Sequence, residues 1–108
     1  MSSYLLIESR DPYIFKDTRN SYSLATRLAR AGHDVTLFLI QNAVLPVRKN
    51  AENRELLAAG QTGISVFADH FSLRERAIQL DEVCDEISVD DLDLVIDKLA
   101  AGAKSLWF

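Results

Sequence analysis

The sequence holds a single cysteine, Cys84, which excludes an internal disulfide and any multi-cysteine metal site. Histidine is equally scarce, with only His33 and His70. His33 follows the helix-stopping Gly32 and precedes a strand, so it belongs to the opposite edge of the molecule from His70, and too few ligands remain for zinc. Lysine and arginine form no cluster and the formal net charge is -4, which disfavours nucleic acid and anionic lipid as ligands. No apolar run approaches the ~20 residues that span a bilayer. Residues Met1 to Glu8 have no basic flank, and their apolar run is too short for a signal peptide. The glycine-rich G-x-G-x-x-G turn, the P-loop and the G-x-S-x-G elbow are all missing. These absences lead to the expectation of a cytoplasmic protein with no nucleic-acid or membrane partner, no metal and no cofactor.

What is present suits one compact domain over residues 1–108. Apolar residues make up 48% and charged residues 26% of the chain, as in ordinary globular proteins. Tyr4 to Ile7 read as a strand buried on both faces, and Asp11-Pro12 as a turn. Asp17 or Thr18 can cap a helix with the apolar stripe Leu24, Ala25, Leu28 and Ala31, stopped by Gly32. Val35 to Ile40 is rich in β-branched and aromatic residues with almost no polar alternation, as a central parallel strand should be. Asn50 can cap a short helix that ends at Gly60, and Ile64 to Ala68 read as the third strand. A helical stretch is expected from Leu73 to Ile87, interrupted near Gln79. Ser88 with Asp91 has the spacing of a capping box, and Val89, Leu92, Val95, Ile96 and Leu99 then form one apolar stripe ending at Gly102. Ala103 to Phe108 read as a last strand. Strands alternating with helices over short loops predict a single three-layer α/β/α domain with a mostly parallel sheet of about five strands.

The stretch Gly63 to Arg76 is the most informative. In it a buried-type strand runs into Asp69-His70 and a basic helix start. Parallel strands deliver their carboxyl ends to one edge, where open α/β proteins bind ligands. Arg10, Asn42, Asp69, His70 and Arg76 are therefore the candidate ligand-binding residues, with Arg74 beside them, as in a domain that binds a small molecule or an anion. Asp69 and His70 are adjacent on an extended chain and should point apart, which weakens an acid–base pairing. A phospho-acceptor receiver would need an acidic pair after the first strand and a lysine at the end of the last. Glu8 stands alone, and Lys104 lies at the start of its strand. Cys84 is the one strong nucleophile. Leu80, Val83, Cys84 and Ile87 fall at helical spacing, which would put the thiol on an apolar face. Asp81, Glu82, Asp85 and Glu86 surround it, and nearby anions raise a thiol pKa. Such a cysteine behaves as a small hydrophobe; as a sulfur carrier it would need an exposed, mobile segment.

Three segments together resemble the DsrE/DsrF-like family of small sulfur-relay proteins. They are Val35 to Val44, Val66 to Asp69 with Leu73-Arg74-Glu75-Arg76, and Leu94 to Leu99 continuing through Lys104 to Phe108. The resemblance runs through nearly the whole chain in order and element type. It implies a parallel α/β domain, homo-oligomers of such domains, partners among other sulfur-relay proteins and a role near sulfur metabolism. Sulfur-carrying members of that family use a cysteine just after the third strand. Ala68 and Asp69 occupy that place here, so the resemblance implies a member without the sulfur-carrying thiol, and more a binding or accessory protein than an enzyme. Trp107 and Phe108, an aromatic pair on a terminal strand, point towards self-association as well.

Overall fold

The computed structural model describes residues 1–108. Five strands form one sheet in the order β4-β3-β2-β1-β5, and every neighbouring pair is parallel. Strand β1 spans Ser3–Glu8, β2 Asp34–Leu39, β3 Ser65–Asp69, β4 Ser88–Asp90 and β5 Lys104–Trp107. The α-helices between them are α1 (Thr18–Arg30), α2 (Arg54–Gly60), α3 (His70–Glu75) and α4 (Asp93–Ala100), with 3-10 turns at Gln41–Val47 and Leu80–Glu82. No helix is long and apolar enough to cross a membrane.

Strand β2 is the centre, and from Val35 onward its residues are all buried. That explains its near-continuous apolar sequence, since a strand covered on both faces has no solvent side to alternate with. Steps from β1 to β2, β3 and β4 move across the sheet in one direction, so right-handed crossovers put α1, α2 and α3 on the same face. That face holds a core of 19 buried residues, among them Leu37, Leu39, Ala25, Leu56 and Leu73. The step from β4 back to β5 runs the other way and lays α4 alone on the second face. Only Leu5, Ile7 and Phe38 are buried there, with Leu94 and Val95 of α4 packed against them.

Four features differ from the expectations drawn from the sequence. Helix α2 begins at Arg54 with Asn53, not Asn50, as its capping position. The helix expected from Leu73 to Ile87 is short: α3 ends at Glu75 and Ala77 turns to a left-handed φ of 54°. The segment beyond is stitched to the loop before α2, with Lys49 N–H donating to the Glu82 carbonyl at 2.8 Å and Cys84 N–H to the Val47 carbonyl at 2.8 Å. Ile78, Val83, Cys84 and Ile87 enter the core from this irregular path, not from a helix face. Ser88 opens no capping box; Ser88–Asp90 is the edge strand β4, paired with Phe67 to Asp69.

The fourth difference is the apolar stripe of α4. Val89 belongs to β4, and Leu92, Ile96 and Leu99 lie exposed. An eight-residue helix is about 12 Å long, whereas five strands spread over roughly 19 Å. One short helix therefore cannot cover the second face; Leu94 and Val95 pack inward while Leu92, Ile96 and Leu99 stay open. Trp107 shares that face of the sheet with its register partner Ile7 and is 64% exposed.

Candidate functional site

Strands β1, β3 and β4 end on Glu8, Asp69 and Asp90, and Gln41 and Asn42 follow β2, but these polar residues sort into separate groups. At the end of β1, Glu8 is completely buried. Its carboxylate accepts hydrogen bonds from Ser9 N–H (2.9 Å), Arg10 N–H (3.0 Å), Arg10 Nε (3.2 Å), Arg10 Nη2 (3.1 Å) and Ser21 Oγ (2.9 Å). A buried carboxylate is tolerated only when paired and hydrogen-bonded in this way. The hydrogen bonds to Glu8 outweigh the opposing effect of burial and push the Arg10 guanidinium pKa upward. Arg10 is thus committed to Glu8.

Asn42, Asp69 and Arg76 do come together, at the ends of β2 and β3. Asp69 caps α3: its Oδ2 accepts from Ser72 N–H at 3.0 Å and from Ser72 Oγ at 2.6 Å. Ser72 Oγ in turn accepts from Gln41 N–H at 2.8 Å. Gln41 holds a left-handed φ of 52°, a strained choice for a non-glycine residue that carries its N–H onto Ser72. Arg76 Nε donates to Asn42 Oδ1 at 3.0 Å and Arg76 Nη1 to the Ser72 carbonyl at 3.1 Å. Asp69, Ser72 and Arg76 line a cleft of about 380 Å³, together with Ile40, Phe71 and Leu92. Asp69 is only 4% exposed, and its second oxygen, Oδ1, has no protein partner.

His70 lies elsewhere. It is exposed and faces a separate hollow beside Val89, Asp90 and Asp91 at the β3–β4 boundary. Asp69 and His70 do point apart, one into the fold and one out of it. His33, at the far edge, accepts from Ser2 N–H through Nδ1 at 3.1 Å and packs edge-on against Tyr4. No three side chains of histidine, cysteine, aspartate or glutamate converge as a metal site would require.

Cys84 is buried, at 7% exposure. Asn53 Nδ2 donates to its sulfur at 3.4 Å, and the same amide donates to the Pro46 and Arg48 carbonyls at 2.8 and 3.3 Å. The thiol is therefore a packed core group held against the loop before α2, and it does not line the cleft at Asp69.

Sequence reasoning missed Ser72, which joins the ends of β2 and β3, and Glu8 as the anchor of Arg10. The D-x-x-S spacing from Asp69 to Ser72 was a usable signal for the first, since a cap accepts from the third residue on. It also missed Tyr22, which lines a groove between α1 and α2. Burial first, then the negative charge of Glu8, pushes the Tyr22 hydroxyl pKa well up. Tyr13, at the mouth of the same groove, is also pushed up, mainly by burial against the opposing pull of Arg48.

No protein-family model matches the chain, and no curated protein matches it in sequence. Solved structures do match it. The ychN protein of E. coli superposes with a TM-score of 0.89 at 20% identity, covering 100% of both chains. MTH1491 from Methanobacterium thermoautotrophicum, a protein of unknown function, gives 0.82 at 12% identity over 99% of this chain and 98% of its own. BT1422 from Bacteroides thetaiotaomicron, also of unknown function, gives 0.81 at 17% identity over 99% and 95%.

Ser72→Ala tests the join between the two strand ends. It leaves Gln41 N–H without its acceptor and removes one of the two donors to Asp69 Oδ2, so a loss of about 1–3 kcal/mol is expected in urea unfolding; an unchanged midpoint would show that the join carries no weight. The likeness to these structures, end to end, shows the fold: a parallel α/β domain built like ychN, MTH1491 and BT1422.

Proposed function

We propose that this protein is a non-catalytic binding and assembly member of a DsrE-like set, associated with sulfur metabolism, in which the carboxyl edge binds a ligand and carries no sulfur. The observation that carries this reading is the pair of positions at issue. The end of β3 holds Asp69, a buried carboxylate with one oxygen free of protein partners, while the lone thiol is packed in the core. A persulfide carrier needs a thiolate that a donor and an acceptor can both reach, and Cys84 is covered. Asp69 suits a ligand that donates a hydrogen bond, because an unpaired buried carboxylate oxygen is costly until a donor reaches it. Arg76, on the wall of the same cleft and hydrogen-bonded to Asn42, adds a cation. Arg10 and His70 belong to this reading only as flanking groups on the same edge.

Incubating the native protein with inorganic polysulfide and taking its intact mass tests the reading. The expected mass is unchanged; a stable addition of one sulfur mapped to Cys84 would replace this reading with sulfur transfer through an unusual carrier.

The partner that fits best is a second copy of the chain. Leu92, Ile96 and Leu99 fall on one stripe of α4, and their exposure of 48–63%, with Trp107 at 64%, leaves large apolar groups uncovered on the thin face. Monomers rarely leave such groups open together. Sedimentation at micromolar concentration is expected to show a dimer or larger species that Ile96→Asp weakens; monomer throughout would contradict it.

A further inference from the structure

The groove between α1 and α2 has the build of a second ligand site, and it shares no lining residue with the cleft at Asp69. Its volume is about 270 Å³. Two cross-links brace it. Tyr13 Oη donates to the Glu52 carbonyl at 3.0 Å, tying the loop after β1 to the approach to α2. Arg19 pairs with Glu55 at 3.3 Å, tying α1 to α2. Between these braces lies Tyr22, which is 6% exposed. Its hydroxyl is buried with no protein group in hydrogen-bond reach, although buried tyrosine hydroxyls ordinarily have a partner. The burial that leaves the hydroxyl without a partner also raises its pKa, so it stays protonated and able to both donate and accept.

We propose that this groove binds a small, uncharged planar molecule whose ring carries one hydrogen-bonding group, with the Tyr22 hydroxyl as its polar anchor. The walls argue for a ring. Tyr13, Pro12 and Pro46 offer flat, rigid apolar surfaces, which suit a planar ligand at little cost in side-chain entropy. Charge argues for neutrality, since Arg19 and Arg54 on the lining are balanced by Glu52 and Glu55. Size argues for a single ring, because the groove lies below the ~300–1,000 Å³ of sites for drug-sized ligands. Asn53, also on the lining, spends its amide nitrogen on Pro46, Arg48 and Cys84, so only its oxygen is left to accept from a bound molecule.

Titration of the full chain with phenol, benzoate and benzylamine, followed by amide chemical shifts, tests this. Phenol is expected to shift residues around Tyr22 and Asn53 saturably, with neither charged probe binding more tightly. Tyr22→Phe should weaken phenol roughly five- to tenfold, the effect of one neutral hydrogen bond. Without any probe, Tyr22→Phe should melt at the same temperature as the parent or higher, because it removes an unpartnered buried hydroxyl. Absence of saturation, equal phenol binding by Tyr22→Phe, tighter binding of a charged probe, or a lower melting temperature for the unliganded variant would each overturn the proposal.

Discussion

Parallel pairing is the constraint from which the rest of this molecule follows. Once β1 to β4 run the same way, every connection must cross the sheet, and each strand must end at the same edge. Three crossovers in one direction stack α1, α2 and α3 on one face and give it nearly all of the core. The single return crossover leaves α4 to cover the other face by itself. Exposed Ile96, Leu99 and Trp107 are thus consequences of topology, because an eight-residue helix is the only cover available.

The same constraint concentrates buried polar groups at the carboxyl edge, and two of the carboxylates there, Glu8 and Asp69, are handled differently. Glu8 receives five hydrogen bonds, two of them from the Arg10 guanidinium, which is the pattern of a structural anchor. Asp69 spends one oxygen on capping α3 and keeps the other without a protein partner beside an open cleft. A low-dielectric setting strengthens a hydrogen bond made there and penalises one left unmade. That contrast is why the proposed ligand is assigned to Asp69 and not to Glu8-Arg10. The chemistry of Asp69 follows from its type: a carboxylate at the end of β3 can hold a donor but cannot form a persulfide.

Strands β1, β2 and β3 were legible in the sequence because apolar runs of four to six residues have few other uses, whereas β5, Lys104–Trp107, was read from its place after Gly102 and its aromatic end. Helix α1 was legible from its stripe and from Gly32, which takes a φ of 92° past its end. Strand β4 was not, since Ser88–Asp90 is three residues on an exposed edge with no apolar run. The path from Ala77 to Ile87 misled for a different reason: helical spacing of Leu80, Val83, Cys84 and Ile87 is also satisfied by a loop pinned to a neighbouring segment, and pairing with Val47 to Lys49 is a long-range fact. Of the candidate site, Asn42, Asp69 and Arg76 were brought together as strand order alone suggests. The commitment of Arg10 to Glu8 and the displacement of His70 towards β4 depend on side-chain partners that strand ends do not reveal. The Tyr22 groove, assembled from a loop, two helices and a 3-10 turn, leaves no local pattern at all.

The central claim is that the lone thiol is a core group and the edge beyond β3 is a binding surface. The alkylation rate of Cys84 by iodoacetamide, followed in native protein against added urea, tests it most directly. The account predicts labelling far slower than a free thiol without urea, rising steeply only as the protein unfolds. Labelling at the rate of a free thiol in the native protein would contradict it.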